Sequence, residues 1–481
     1  MSPIKTCLLA LFFLFLYLSI SIPLRTYKAI VTFFRLLTRR RLGTQLTAYD
    51  AIFAVDDVTH PHGANVTLLF FEGEITLEKV VAKVEELIKL DNFSKLRQKM
   101  VNFGGYFYWS EVSNVRVEDH VRMGARFDPL LEEEEHDGVL NRFLSGEMIA
   151  PFREGSPLWN VTLLPGYKCG GSVLVIRIHH TYADGYSQNY LVDCLLGVRS
   201  GYFVKPKKNE GWRDSLSLLL RSTRMMATLY QEALAAPTNI YTCPKRATSG
   251  VIAMATLPLS TYKMIRRKTD THFASIGMSL MIGALRRFHA ETMTPTELES
   301  YLPKLVGIMH ALPKPGHPLT KLVNHWGVGL FKIPTLADPL ERLIKTEEHF
   351  KSYTGQGYDE LLHVLMRVLG WAPNVVLKKF FGLNFGTSMG FTSVPAISER
   401  VKFDGVTVQS MGKVFGLQWK QSAFATAVYT HADLASITLY ANRDIVPDQA
   451  GMDRVAGYLR DEFSELAKQV DHAYKRGLKL G

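Results

Sequence analysis

The residues best suited to chemistry lie in one run, Ser172 to Ser187, SVLVIRIHHTYADGYS. Its first half, Ser172 to Ile178, is β-branched and apolar apart from Arg177, and reads as a strand. The strand runs into His179 and His180, and Asp184-Gly185 follows one turn later, giving H-H-x-x-x-D-G. Imidazole has an ordinary pKa of roughly 6.5, so its neutral form takes a proton from a hydroxyl near neutral pH. A rigid strand fixes such a base, and the loop after it gives access. Asp184 either orients the loop through backbone or arginine contacts or touches the imidazole directly; the spacing fits both. Gly185 removes a side chain where a substrate or the backbone must come close. A bare H-x-x-x-D also arises by chance at strand ends, so its surroundings decide its meaning.

Several elements must position that strand end. In the first half, Val66 to Phe71 is expected to be a strand, and Leu77 to Leu90 a helix with Leu77, Val80, Val81, Val84, Leu87 and Ile88 on one face. Tyr106 to Trp109 and Val115 to Val121 read as strands, Val139 to Ile149 as a short helix, and Gln188 to Leu196 as a helix behind the histidines. Glu132 to Glu135 is a solvated loop or a helix start. Lys205, Lys207 and Lys208 mark a linker, and Trp212 to Ala236 is a long helical crossover. The second half opens near Val251. Helices are expected at Phe273 to Ala290, Pro339 to Tyr353, Leu361 to Phe381 and Met452 to Tyr474. Strands are expected at Lys304 to Leu312, Val323 to Ile333, Gly390 to Pro395, Val401 to Val408, Phe424 to Tyr429 and Leu434 to Tyr440. Both halves therefore mix strands and helices in an α+β layout.

The surroundings of the histidines resemble one family. Ser156-Pro157-Leu158-Trp159, then Val161 to Gly166, then the histidine strand, is similar in order to the bifunctional wax ester synthase/diacylglycerol acyltransferase family. That family lies within the CoA-dependent, condensation-domain-like acyltransferase superfamily. Leu46-Thr47-Ala48-Tyr49-Asp50-Ala51-Ile52-Phe53 resembles its L-S-x-x-D-x-x-F start. Gly283-Ala284-Leu285-Arg286-Arg287 resembles the end of a helix in its second half, and Phe391-Thr392-Ser393-Val394-Pro395 its S-N-V-P-G strand. The resemblance runs from about residue 42 to the C-terminus. Two positions depart from it: the family's Asn-Asp helix start is here Ala274-Ser275, and the Asn of S-N-V-P-G is missing between Ser393 and Val394. Both bear on acceptor choice and substrate positioning.

The resemblance implies two chloramphenicol-acetyltransferase-like lobes with a tunnel between them. Residues 42–204 would form the first lobe, 205–250 the crossover and 251–481 the second lobe. It implies acyl transfer from a fatty acyl-CoA co-substrate to a long-chain alcohol or to diacylglycerol, with no bound cofactor and no metal. His180 would be the general base, with His179, Asp184 and Gly185 completing the catalytic motif. Thr392 and Ser393 would mark the oxyanion region, and Pro157, Leu158 and Trp159 would be structural. A non-catalytic lipid-binding member, or an acyltransferase for another hydroxyl acceptor, is the alternative.

Composition sets the outer bounds. The chain has 481 residues, 47% hydrophobic and 21% charged, with a formal net charge of +11. That length supports two sizeable cores. Such a positive balance calls for an acidic partner. No nucleic-acid motif accompanies it, so the partners expected are a lipid bilayer and the phosphates of CoA. Cys7, Cys169, Cys194 and Cys243 show no pairing or metal spacing, which fits a reducing compartment. Thr6 to Leu24 is uncharged and apolar, about the length that spans a bilayer core. Arg25, Lys28, Arg35 and Arg39-Arg40-Arg41 follow it, which places the body in the cytosol by the positive-inside rule. Residues 1–41 thus read as an anchor and stem in the endoplasmic reticulum membrane, single-pass, with Ala29 to Leu37 lying along the interface. The competing reading is a signal peptide cut at Ser19-Ile20-Ser21, which sequons at Asn65, Asn92 and Asn160 would accompany. His60-Pro61-His62 reads as a plain loop. Asn324-His325-Trp326-Gly327 reads as a strand with an interfacial tryptophan, with support of the CoA channel as the alternative.

Overall fold

A computed structural model describes residues 3–38, 42–200, 249–354, 368–380, 387–416 and 423–478, with residues 204, 206, 217, 222, 240, 241, 365 and 366 besides. Apart from those single residues, the crossover helix expected at Trp212 to Ala236, the Lys205–Lys208 linker, the Arg39-Arg40-Arg41 cluster and the start of the helix expected from Leu361 lie outside the described residues; the described part of that last helix is broken at Gly370 to Pro373.

The first half contains α1 (Pro3–Leu37), α2 (Ala48–Ala54), β1 (Ala64–Phe71) and α3 (Leu77–Lys89). A hairpin of β2 (Gln98–Phe103) and β3 (Tyr106–Glu111) follows, then β4 (Val121–Met123), α4 (Glu133–Ile149), β5 (Trp159–Tyr167), β6 (Gly171–His179) and α5 (Gly185–Leu196). The acidic run opens α4: Glu132 and Glu135 form a reciprocal capping box, and acidic side chains suit the positive end of a helix. The strand expected at Val115 to Val121 is a correction. Val117–Asp119 is a 3-10 turn, and only Val121–Met123 pairs as a strand. Val117 is buried in the first core while its neighbours face out, so one turn satisfies the alternating pattern that suggested a strand.

The second half contains β7 (Gly250–Pro258), α6 (Leu259–Thr269), α7 (Phe273–Ala290), α8 (Pro295–Tyr301), β8 (Leu305–Pro313), β9 (Trp326–Pro334), α9 (Pro339–Thr354) and α10 (Asn374–Phe380). It ends with β10 (Met389–Pro395), β11 (Lys402–Phe403), β12 (Val406–Phe415), β13 (Phe424–His431), β14 (Leu434–Asn442) and α11 (Gln449–Lys475). The strand expected over Val401 to Val408 is in fact β11, a left-handed Asp404-Gly405 turn, and the longer β12. Val323 to His325 precede β9 rather than belonging to it.

Two six-stranded sheets organise the chain. One has the order β11-β12-β1-β6-β5-β4, the other β7-β14-β13-β10-β8-β9. β11 and β12 come from the second half, yet β12 pairs with β1, so the segment 402–415 completes the first sheet. Each sheet has its own apolar core, one around Leu68, Leu163, Leu174 and Val192, the other around Ile276, Ile308, Ile437 and Leu459. A third cluster joins Ile52, Phe53, Trp326, Val328, Leu369 and Leu377.

The anchor region is one helix rather than a span and a separate stem. α1 runs 35 residues, about 52 Å at the usual rise, and is long and apolar enough to cross a membrane. Its second half lies on the body. The Arg25 guanidinium stacks 3.8 Å from the Trp371 ring centre, and Lys28 donates to the Gly370 carbonyl at 2.9 Å. Val31 is buried against the hairpin, and Arg35 donates to the carbonyls of Leu42 and Gly43.

Candidate active site

Pairing with β1 decides which histidine faces which way. Ala64 sits opposite His179, Asn65 opposite Ile178, and Thr67 opposite Lys413 of β12. Side chains alternate along a strand, so His179 leaves one face of the sheet and His180 the other. His179 is fully buried; its Nδ1 meets the Thr181 hydroxyl at 2.8 Å, and its Nε2 lies 3.5 Å from Asp56. His180 lines a cavity between the two sheets. The cavity and its open mouth together enclose about 910 Å³ of space outside the atoms. Its walls are mostly apolar: Phe53, Met309, Leu312, Trp326, Phe391 and Phe415.

The tautomer of His180 follows from its neighbour. The Asn324 amide nitrogen donates to the Asp50 carboxylate at 2.9 Å, the His180 carbonyl at 2.8 Å and the Thr181 carbonyl at 3.0 Å. All three partners only accept here, so this end of the amide is the NH2 group. The Asn324 oxygen then faces His180 Nδ1 at 3.1 Å and accepts its proton. Nε2 is left with a free lone pair. Asp50 is held by Lys95, whose ammonium lies 3.2 Å from both carboxylate oxygens. The Phe53 ring stacks on the imidazole at 3.8 Å, and the His180 backbone N–H donates to the Gly63 carbonyl at 2.7 Å. Burial pushes the imidazole pKa down to about 4, against smaller opposing effects of Asp184 and Asn324. The ring is therefore neutral at cellular pH, as a base must be.

Asp184 does not touch the imidazole. It caps α5 by accepting from the Ser187 N–H at 3.0 Å, and it accepts from His317 Nε2 at 3.0 Å and from the His325 N–H at 2.7 Å. Burial alone would raise its carboxyl pKa, but the hydrogen bonds from His317, Ser187 and His325 outweigh that and hold it below the usual value. Asp184 thus ties the histidine loop to the segment that delivers Asn324. Gly185 is the first residue of α5, and a Cβ there would stand 3.1 Å from Val394 Cγ2 on the facing sheet.

The other expected residues fall as follows. Thr392 lines the cavity, and Ser393 is not among the lining residues. Leu158 accepts the His179 N–H at 2.9 Å, and Pro157 and Trp159 are buried. The Trp159 indole donates to the Leu96 carbonyl at 2.9 Å and stacks on His120. Ser275 stands where the family has part of its Asn-Asp pair. It donates to Glu347 at 2.7 Å, away from the cavity, and Glu347 also accepts from the His272 N–H.

Four residues of the site have roles that no local sequence pattern announces. Asn324 is expected only as part of a strand with an interfacial tryptophan, and that tryptophan, Trp326, lines the cavity. Asp50 and Phe53 were noted for resemblance alone, without a role. Lys413 is buried on the cavity wall and donates to the Gly185 carbonyl at 3.1 Å; burial pushes its pKa down to about 7. No local pattern marks it, since it alternates with apolar residues along β12.

These features define a class first: a two-lobed α+β fold of the condensation-domain type, with a histidine at the end of a strand facing the cavity between lobes. The first condensation domain of the calcium-dependent antibiotic synthetase matches with a TM-score of 0.59 and 12% identity, over 89% of this chain and 96% of that one. The starter condensation domain of rhizomide synthetase, solved with C8-CoA and Leu-SNAC, matches at 0.55 and 10%, over 90% and 96%. The wax ester synthase/diacylglycerol acyltransferase from Marinobacter aquaeolei VT8 matches at 0.61 and 19%, over 89% of this chain and all of that one. At these identities the likeness speaks for the fold. No curated protein sequence matches the chain. The family is given by sequence models: the wax ester synthase/diacylglycerol acyltransferase catalytic domain matches residues 72–291, and the C-terminal domain of the same family matches residues 323–467. The chain belongs to the wax ester synthase/diacylglycerol acyltransferase family of acyltransferases.

Proposed function

We propose that the chain transfers a fatty acyl group from acyl-CoA to a long-chain alcohol, giving a wax ester, or to diacylglycerol, giving triacylglycerol, with His180 as general base. The observation that carries this reading is the Asn324–His180 hydrogen bond, which leaves Nε2 free in an apolar cavity. The acceptor hydroxyl gives its proton to Nε2 as its oxygen attacks the thioester carbonyl carbon. The tetrahedral oxyanion collapses, the C–S bond breaks, and the imidazolium returns the proton to the CoA thiolate. Of the two candidate oxyanion donors Thr392 lines the cavity and Ser393 follows it in β10; one such donor contributes on the order of 3 kcal/mol. Asp184 and Gly185 shape the loop, and His179 holds the strand from the far face.

In this reading α1 anchors the enzyme in the endoplasmic reticulum membrane, with its body in the cytosol. The basic residues Arg25, Lys28 and Arg35 after the apolar segment support that side. The sequon at Asn65 does not oppose it, because Asn65 is 2% exposed within the buried strand β1, where the fold leaves no room for a glycan. The test offers labelled palmitoyl-CoA to isolated membranes with hexadecanol or, separately, with dioleoylglycerol. Labelled ester from at least one acceptor is expected. Folded protein that yields ester from neither would contradict the reading.

A further inference from the structure

The second half of α1 has two unlike faces. Leu24, Lys28, Val31 and Arg35 recur at helical spacing and meet the body. The opposite face carries Ile30, Phe33, Phe34 and Leu37, all exposed, with Phe33 at 59% and Phe34 at 54%. A helix that packs one side on a folded body and turns phenylalanines outward needs an apolar medium on the other side.

A second apolar surface lies beside it. α10 buries Leu377 in the third cluster and exposes Val375 at 62% and Val376 at 40%, followed by exposed Lys378 and Lys379. The segment leading into α10 is fixed to α1 through Arg25–Trp371 and Lys28–Gly370. It is fixed to the β2–β3 hairpin as well: Tyr106 donates to the Trp371 carbonyl at 2.8 Å, and the Asn374 N–H to the Gly105 carbonyl at 2.7 Å. α1 and α10 are thus held in one assembly. Valines followed by lysines suit a bilayer interface, where the valines meet acyl chains and the ammonium groups meet anionic headgroups.

We propose that α10 and the outward face of Ile30 to Leu37 form one lipid-contacting surface, by which the body itself rests on the bilayer next to its anchor. The occupant is the membrane that α1 enters, so the proposal rests on the reading of α1 as an anchor. The surface has a consequence for the site. The cluster beneath α10 includes Phe53, Trp326 and Val328, which also line the cavity, and Leu24 of α1 packs against the same cluster. One wall of the cavity therefore lies directly behind the membrane-facing layer, on the side from which a bilayer-dissolved acceptor arrives.

The experiment uses the full chain with Cys7, Cys169, Cys194 and Cys243 replaced by Ser, reconstituted in vesicles containing phosphatidylserine. A single environment-sensitive fluorophore is placed at Val376→Cys, at Phe15→Cys in the anchor, or at Leu130→Cys. Leu130 is 91% exposed and belongs to the loop that packs on the Tyr167 end of the β5–β6 hairpin, away from His180. The label at 376 is expected to emit to the blue of the label at 130. It should be quenched by nitroxide-bearing lipid as the label at 15 is, and quenched several-fold less by aqueous iodide than the label at 130. Lipid quenching at 15 but not at 376 would overturn this proposal and leave the anchor intact. A label at 376 shielded from both quenchers would mean a protein partner covers the surface, and would overturn it too. No lipid quenching at 15 would remove the anchor reading and this proposal with it.

Discussion

Replacing Asn324 by Ala isolates the residue that sets the tautomer of the base. The substitution removes the acceptor of the Nδ1 proton and the donor to Asp50, the His180 carbonyl and the Thr181 carbonyl. One neutral hydrogen bond to the base is worth about 1.5 kcal/mol, or about tenfold in rate. Freed from Asn324, the ring also populates the tautomer with its proton on Nε2, which cannot act as base, so kcat should fall by roughly 10- to 100-fold. KM for acyl-CoA should change little, because Asn324 is not among the residues lining the cavity. Stability should fall as well: the carboxylate of Asp50 and two carbonyls lose a partner, at about 1–3 kcal/mol for a buried group left unsatisfied. Asn324→Asp is the companion test. Its second carboxyl oxygen would stand where the NH2 group now donates to Asp50 and two carbonyls, so Asn324→Asp should lose more stability than Asn324→Ala. The assay is kcat and KM for palmitoyl-CoA at fixed hexadecanol across pH 4 to 8, on variants whose fold is verified by circular dichroism. A kcat within twofold of wild type for Asn324→Ala, or an Asn324→Asp variant as stable as wild type, would refute the reasoning.

Other predictions follow from particular contacts. The wild-type acid limb of kcat/KM should fall well below pH 6, since burial holds the free His180 near 4; a limb at the ordinary histidine value would show a solvated ring. The same depressed pKa means that His180 favours folding above about pH 6.5, and that this contribution is lost as pH falls toward 4, which urea melts across that window would register. Gly185→Val should lower activity more than Gly185→Ala, because even a Cβ comes within 3.1 Å of Val394 at the cavity; equal kcat for the two variants would argue against the tight approach. Glu462 sits between Arg342 and Arg287 in the second core, so Glu462→Gln should cost about 3–5 kcal/mol by leaving buried Arg342 unpaired. Its thermal midpoint should drop well below that of wild type while kcat at low temperature stays the same.

The local part of this site was legible in the sequence because its signals are local. β6 reads as a strand from its β-branched run, and His180, Asp184 and Gly185 follow it within a few residues. What stayed hidden came from distant segments. Asn324 reaches His180 from 144 positions away, and His317 reaches Asp184 from 133, and neither carries a pattern that names its partner. Asp50 and Phe53 stood out only as parts of a resemblance; their use, one tethering Asn324 and the other stacking on the base, needed the fold. β12 crosses from the second half into the first sheet, a pairing that alternation cannot announce, and it carries Lys413 to the cavity. The strand expected at Val115 to Val121 failed for the opposite reason: a buried Val117 between exposed neighbours suits a 3-10 turn as well as a strand.

The central claim is that His180 Nε2 takes the proton of the acceptor hydroxyl. The direct measurement is acyl transfer by His180→Ala beside wild type, in membranes holding equal amounts of folded protein, with the acceptor that wild type uses. Wild-type ester formation with product falling to background in the variant is the predicted result. Ester formed by the variant at a rate comparable to wild type would contradict it.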